Sequence, residues 1–234
     1  MMTRLQLARR IDHTLLKPEA GEADIRALAA TALEYHFAAV CVNGCWIRLV
    51  RTILDKSQIE GSGNKAIRVA ACAVVGFPFG TQETSVKAFE AAECVRAGAE
   101  EIDMVIRLPA LLSGQLDAAR KDIQEVVVAA KTVASDTVVK VILETAILTE
   151  PQIAMGCQAA REAGADFVKT STGFHPAGGA TAQAVRWMKA YCGNLRVKAS
   201  GGIRDLATAQ AMLEAGADRI GCSAGVAIVK ELAK

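Results

Sequence analysis

The chain has 234 residues, a net charge of +2, 52% apolar residues and only 4% aromatic ones. Its basic residues are scattered, without the cluster or stripe that a nucleic-acid surface requires, so that class is excluded. No apolar run approaches the roughly 20 residues of a membrane span, and the opening MMTRLQLARR lacks the apolar centre of a signal peptide.

In chain order, strands are predicted near 10–14, 38–42, 68–75, 101–106, 137–144, 166–170, 196–199 and 219–222. Helical patterns lie between and after them, near 22–35, 45–55, 84–97, 115–134, 150–163, 180–191, 205–215 and 224–233. One phrase recurs, as RAGAEEIDMV at 96–105, EAGADFVKTS at 162–171 and EAGADRIGCS at 214–223. Each reads as a helix end, a glycine just past it, and an acidic residue opening an apolar strand. Such a repeated junction marks a repeated βα unit. Eight strands alternating with eight helices, evenly spread and without a linker, predict one α/β domain over 1–234 closed as a (β/α)8 TIM barrel. The alternative is a doubly wound open sheet, but no GxGxxG follows the first strand.

The seven cysteines show no CxxC spacing and mostly fall in apolar patterns, which predicts reduced thiols and a cytoplasmic protein. None of the three histidines is paired at metal-ligand spacing, so neither a metal nor another cofactor is expected. Oligomeric state is left open, a homodimer being one outcome.

The strand ends carry the chemistry. In a barrel of this kind, polar residues at the C-terminal ends of strands form the active site. Lys169 ends the sixth predicted strand, Lys198 lies in the seventh, Asp103 in the fourth, Asp12 in the first, and Glu144 ends the fifth. Neighbouring parallel strands lie about 4.8 Å apart, so the two lysines should be neighbours. A free lysine titrates near 10.4 and is almost wholly charged at pH 7. A second ammonium and partial burial both disfavour that charge, and a freed amine attacks carbonyls. The plainer reading is a pair of structural lysines neutralised by Asp103 or Glu144. Two lysines and a carboxylate at one mouth favour Schiff-base chemistry over it, with Asp103 holding a water or a proton. The glycine-rich turns SGGIRD (200–205) and GCSAG (221–225) each open a predicted helix, and Gly173 follows the sixth strand. Backbone N–H groups there suit a phosphate, so a small phosphorylated substrate is expected.

The segments VGFPFG, EIDMVI, KVILET, DFVKTSTGF, VKASGGIR and RIGCSAGVAI together resemble the 2-deoxyribose-5-phosphate aldolase family. The likeness runs from IDHTLLKP at residue 11 nearly to the C-terminus. It implies a metal-independent class I aldolase of deoxyribonucleoside catabolism, which cleaves 2-deoxyribose 5-phosphate to glyceraldehyde 3-phosphate and acetaldehyde. By position, Lys169 matches the family's Schiff-base lysine, Lys198 the lysine that perturbs it, and Asp103 the proton-relay aspartate. Asp12, Thr14 and Thr170 match substrate-side positions, and Gly173, Gly201, Gly202 and Ser223 the phosphate loops. Gly44 and Arg107 depart from the family's usual Pro and Asn, and Ala224 replaces a second serine. No tyrosine follows Tyr191, so a relay through Asp103 and water is implied. The rivals are a related Schiff-base barrel aldolase or thiolase-like enzyme acting on another phosphorylated sugar, and a non-catalytic phosphosugar-binding barrel. The last should have lost a lysine or the aspartate, and none is lost.

Overall fold

Eight parallel strands hydrogen-bond in sequence order and close on themselves in the computed structural model, which describes residues 2–59 and 68–232. They are β1 (Ile11–Leu15), β2 (Ala39–Asn43), β3 (Ala70–Val75), β4 (Glu101–Val105), β5 (Val138–Ile142), β6 (Phe167–Lys169), β7 (Arg196–Ser200) and β8 (Arg219–Cys222). The sheet is a closed barrel, not an open one. Among the described residues, no helix is long and apolar enough to cross a membrane.

The recurring AGA-acid phrase has a physical job at each of its three sites. Gly98, Gly164 and Gly216 take φ of 106°, 78° and 111°, the left-handed conformation that ends a helix. The acid that follows then reaches sideways to the preceding strand. Glu100 accepts the Ala71 N–H of β3 at 3.2 Å, Asp166 the Val139 N–H of β5 at 2.8 Å, and Asp218 the Val197 N–H of β7 at 2.8 Å. Helix stop, strand start and strand pairing are thus encoded in four residues.

The crossover helices are α2 (Glu22–Glu34), α3 (Ile47–Ile59), α4 (Thr84–Arg96), α6 (Leu116–Val133), α7 (Glu150–Glu162), α8 (Ala182–Tyr191) and α9 (Leu206–Glu214), and α10 (Gly225–Glu231) follows the last strand. Among the described residues, two further α-helices, α1 (Arg4–Ala8) and α5 (Leu108–Leu112), were not expected from the sequence. Five residues are too few to show a helical period. Local signals existed all the same: Thr3 caps α1 in a box with Gln6, and Pro109 sits in the first turn of α5. Arg107, just before α5, reaches Glu83 and Thr84 at 3.2 Å each, which ties the altered loop to the start of α4.

The main apolar core lies between strands and helices, from Ile11, Val40 and Ala71 to Val168, Val197 and Ile220. A small second cluster inside the barrel holds Leu16, Ala39, Cys41, Cys72 and Val74. Val105, Ile142 and Phe167 share the inward faces of their strands with Asp103, Lys140 and Lys169, so apolar side chains and charges alternate inside the barrel. Bulky aliphatic residues usually fill this space, yet here Asp12, Asp103, Lys140 and Lys198 are all fully buried within it.

His13 shares β1 with Asp12, packs against Phe37 with ring centroids 5.0 Å apart and planes tilted by 40°, and is 7% exposed. Burial pushes its imidazole down to about 4. An unfolded histidine titrates near 6.5, so the unfolded chain takes up this proton first as pH falls. The resulting stability is complete above pH ~6.5 and lost between there and about 4, by up to ~3 kcal/mol. Urea unfolding at pH 7 and 4.5 should therefore show a smaller decline for His13→Asn than for the native protein. Equal declines would assign the acid sensitivity to carboxylates alone.

Candidate active site

Strand pairing sets the site. In register, Asp103 of β4 lies opposite Lys140 of β5, and Lys169 of β6 opposite Lys198 of β7. Side chains alternate along a strand, so these positions face the barrel axis while Val141, Val168 and Val197 pack outward against helices.

Asp103 is the hub, with no exposure to solvent. Its Oδ2 accepts from Lys169 Nζ at 2.7 Å and from Lys198 Nζ at 2.6 Å. Its Oδ1 accepts from Lys140 Nζ at 2.7 Å and from the Cys72 thiol at 3.3 Å. A second tier lies around it. Lys198 also pairs with Asp12 Oδ2 at 2.6 Å, Lys140 with Glu101 at 2.6 Å, and Arg219 with both Asp12 and Glu101. Four cations (Lys140, Lys169, Lys198, Arg219) thus share three carboxylates (Asp12, Glu101, Asp103), and loss of one proton would neutralise the cluster.

Electrostatics fixes the charge of most members. Burial works to raise the Asp103 carboxyl, but Lys140, Lys169 and Lys198 outweigh it and hold the group well below the usual carboxylate range. For Lys198, burial works downward, yet Asp103 and Asp12 lift it above an ordinary lysine. Lys140 is raised by the same competition, mainly through Asp103. Asp12 is lowered, since Arg219 and Lys198 overcome its burial. Lys198 is therefore a fixed cation.

Stability does not explain such a cluster. Each buried ion costs several kcal/mol to desolvate, and apolar residues of like volume often serve folding as well or better. A buried, linked set of charges in a barrel mouth instead marks a candidate functional site.

Above it opens a cavity of about 340 Å³. Lys169 is the only member of the cluster that lines it. The remaining charged lining residues are Lys17 and Arg204, so among the described residues no carboxylate faces the space. Thr14, Gly173, Gly201, Gly202 and Ser223 line it as well. Gly173 and Gly201 have φ of 82° and 90°, and a Cβ on Gly179 would fall 2.2 Å from the Gly201 carbonyl oxygen. These loops approach closer than any side chain would allow.

Two expected substrate-side residues lie elsewhere. Asp12 is wholly buried beneath the cavity and paired with Lys198 and Arg219. Thr170 is also wholly buried; its hydroxyl donates to the Ser200 carbonyl at 3.0 Å and accepts the Ser200 N–H at 2.9 Å, bracing β6 against β7. Among the described residues, Glu144 pairs with no lysine. It takes a left-handed φ of 60° and accepts the Thr172 hydroxyl at 2.5 Å, holding the loop that carries Gly173.

Lys140, Glu101, Arg219, Lys17 and Arg204 did not emerge from the sequence as site residues. Lys140 carried the same signal as Lys169, a lysine inside an apolar run (VVKVI), and two-residue alternation put it on the face of Ile142.

Comparison with known proteins places these features among relatives. The family described as DeoC/LacD family aldolase matches residues 7–231. The deoxyribose-phosphate aldolase of Thermoanaerobacter sp. (strain X514) is 49% identical over 228 residues, 97% of each chain. That of Enterococcus faecalis is 49% identical over 226 residues, 96% of each chain. A putative deoxyribose-phosphate aldolase from Coccidioides immitis superposes with a TM-score of 0.88 at 39% identity, over 98% of this chain and 87% of its own. The deoxyribose phosphate aldolase of Aeropyrum pernix, described as a unique tetramer, gives 0.87 at 33% identity, over 100% and 94%.

Proposed function

The chain belongs to the DeoC/LacD family of aldolases, and from that premise we propose how its buried lysines cleave 2-deoxy-D-ribose 5-phosphate to D-glyceraldehyde 3-phosphate and acetaldehyde. One observation carries the reading: Asp103 Oδ2 bridges Lys169 and Lys198, beneath a cavity whose charged lining is cationic throughout. Lys169 is the nucleophile, because it alone joins the ion cluster to the cavity. Its neutral amine adds to the aldehyde carbon C1 of the open-chain sugar. Loss of water then gives a protonated imine.

The imine is an electron sink. Removal of the C3 hydroxyl proton breaks the C2–C3 bond, releases glyceraldehyde 3-phosphate and leaves an enamine on Lys169. Protonation at C2 and addition of water return the free amine and acetaldehyde. Asp103, bridging both lysines through one oxygen, is the group through which protons pass to and from Lys169. Lys198 is the fixed cation that disfavours a second positive charge beside it. The phosphate is held by the N–H groups of Gly173, Gly201, Gly202 and Ser223, with Lys17 and Arg204 as counter-charges. Asp12 acts through Lys198 and Thr170 through the β6–β7 brace, as positioning residues.

The direct test is to supply 2-deoxyribose 5-phosphate and measure acetaldehyde with and without a metal chelator. Undiminished cleavage with chelator is expected; a chelator-sensitive reaction would overturn the Schiff-base assignment. The phosphate assignment has its own test. Gly202 has φ of 80° and open space where a Cβ would stand. Gly202→Glu should raise KM for the phosphorylated sugar roughly tenfold to a hundredfold by charge repulsion, and leave KM for deoxyribose nearly unchanged. Gly202→Ala reports backbone strain alone. Equal losses on both sugars would remove the phosphate from these loops.

The seven cysteines are all unpaired thiols, which suits a cytoplasmic enzyme. Assembly of at least two copies is our reading from the tetrameric Aeropyrum pernix relative, and sedimentation would decide it.

A further inference from the structure

Asp103 has two oxygens and four donors. The two lysines assigned to the reaction occupy Oδ2, whereas Oδ1 is taken by Lys140 and by Cys72, a residue with no part in the chemistry above. We propose that the thiol of Cys72 is a positioning residue for Asp103: together with Lys140 it saturates Oδ1, so that proton exchange runs through Oδ2 alone. The inference rests on the role given to Asp103 in the proposed function.

The geometry is specific. Val74 is the β3 residue in register with Asp103, and Cys72 lies two positions earlier on the same inward face, opposite Glu101. Its Sγ stands 3.3 Å from Asp103 Oδ1 and 3.5 Å from Lys140 Nζ, with no solvent exposure. A carboxylate offers about four lone-pair positions, and here each has a donor. Burial, with the nearby Cys41 and Asp103, pushes the Cys72 thiol well above its ordinary value. It therefore keeps the S–H that it donates. The other groups facing Asp103 are Asp12 on β1, Cys41 on β2, Lys140 on β5, Lys169 on β6 and Lys198 on β7. Glu101 on β4 lies beyond Lys140, and Arg219 on β8 beyond Asp12.

Without the thiol, Oδ1 keeps one donor and the carboxylate can rotate about Cβ–Cγ, misplacing Oδ2 between the lysines. Two variants separate this from simple packing. Cys72→Ser keeps a donor and loses apolar bulk; Cys72→Val fills the space and donates nothing. Cys72→Val should lower kcat roughly tenfold, the scale of one hydrogen bond to a charged group, with KM for the sugar phosphate within twofold of native. Its acidic limb of kcat against pH should be displaced. Cys72→Ser should stay within about threefold of native, with the native limb. A Cys72→Val protein of native kcat and native limb would overturn the proposal, as would a Cys72→Ser protein as slow as Cys72→Val.

A spectroscopic arm needs neither variant. In the infrared spectrum, one S–H stretch should move to higher frequency when Asp103→Asn replaces the charged acceptor; seven unmoved bands would also overturn the proposal. Borohydride trapping of native Lys169 is the control. If the native protein neither traps nor cleaves, the reading of the site has failed; if it does both while Cys72→Val behaves as native, only the inference about Cys72 has failed.

Discussion

Acetaldehyde followed by borohydride will leave an ethyl group on Lys169 and inactivate the protein irreversibly. The amine is the single member of the buried cluster that reaches the cavity, so an imine formed there is accessible to hydride. The other two lysines in contact with Asp103, Lys140 and Lys198, are wholly buried and held charged by their carboxylates. They are not nucleophiles in that state. Peptide mapping should find one adduct per chain, at Lys169; an adduct at another lysine, or none, would remove the nucleophile assignment. Lys169→Leu should lower kcat by at least roughly 10³ at every pH, since no other group can form the intermediate. It should still fold, because Asp103 retains Lys140 and Lys198.

Lys198→Leu should instead give an enzyme that recovers as the pH rises. In the native protein Asp103 Oδ2 is shared by two ammoniums 2.6 and 2.7 Å away. Removing one leaves the whole oxygen to Lys169 and takes away the repelling charge beside it. Both effects favour the protonated amine. An acidic limb displaced upward by two to three pH units corresponds to roughly 10² to 10³ less activity at neutral pH. That loss should disappear at alkaline pH, since the nucleophile is intact. Breaking a buried pair is also expected to cost about 3 kcal/mol of stability, so kcat/KM must be followed on protein shown to be folded. A stability loss with an unmoved acidic limb would make Lys198 a structural lysine only.

The local chemistry of the chain determined its elements and their order. The AGA-acid phrase specifies a left-handed helix stop and a side chain that seizes the neighbouring strand's N–H, all within four residues. Such signals are readable because they depend on near neighbours in sequence. Lys169, Lys198 and Asp103 were legible for a related reason: a charge inside an apolar strand is costly enough to need a use. The family resemblance then supplied their roles.

What only the tertiary structure decided was which charges meet. Asp12 and Arg219 are 207 residues apart in the chain, yet they form one ion pair. Barrel closure through β1 and β8 brings them together, and no local pattern announces that pairing. Closure likewise put Asp12 under the cavity instead of in its wall, and turned Thr170 into a brace. Cys72 reaches Asp103 although the register sets it opposite Glu101. Side-chain direction, strand tilt and stagger set those contacts, and they arise from the packing of the whole sheet. Sequence spacing fixes only which face of a strand a residue occupies.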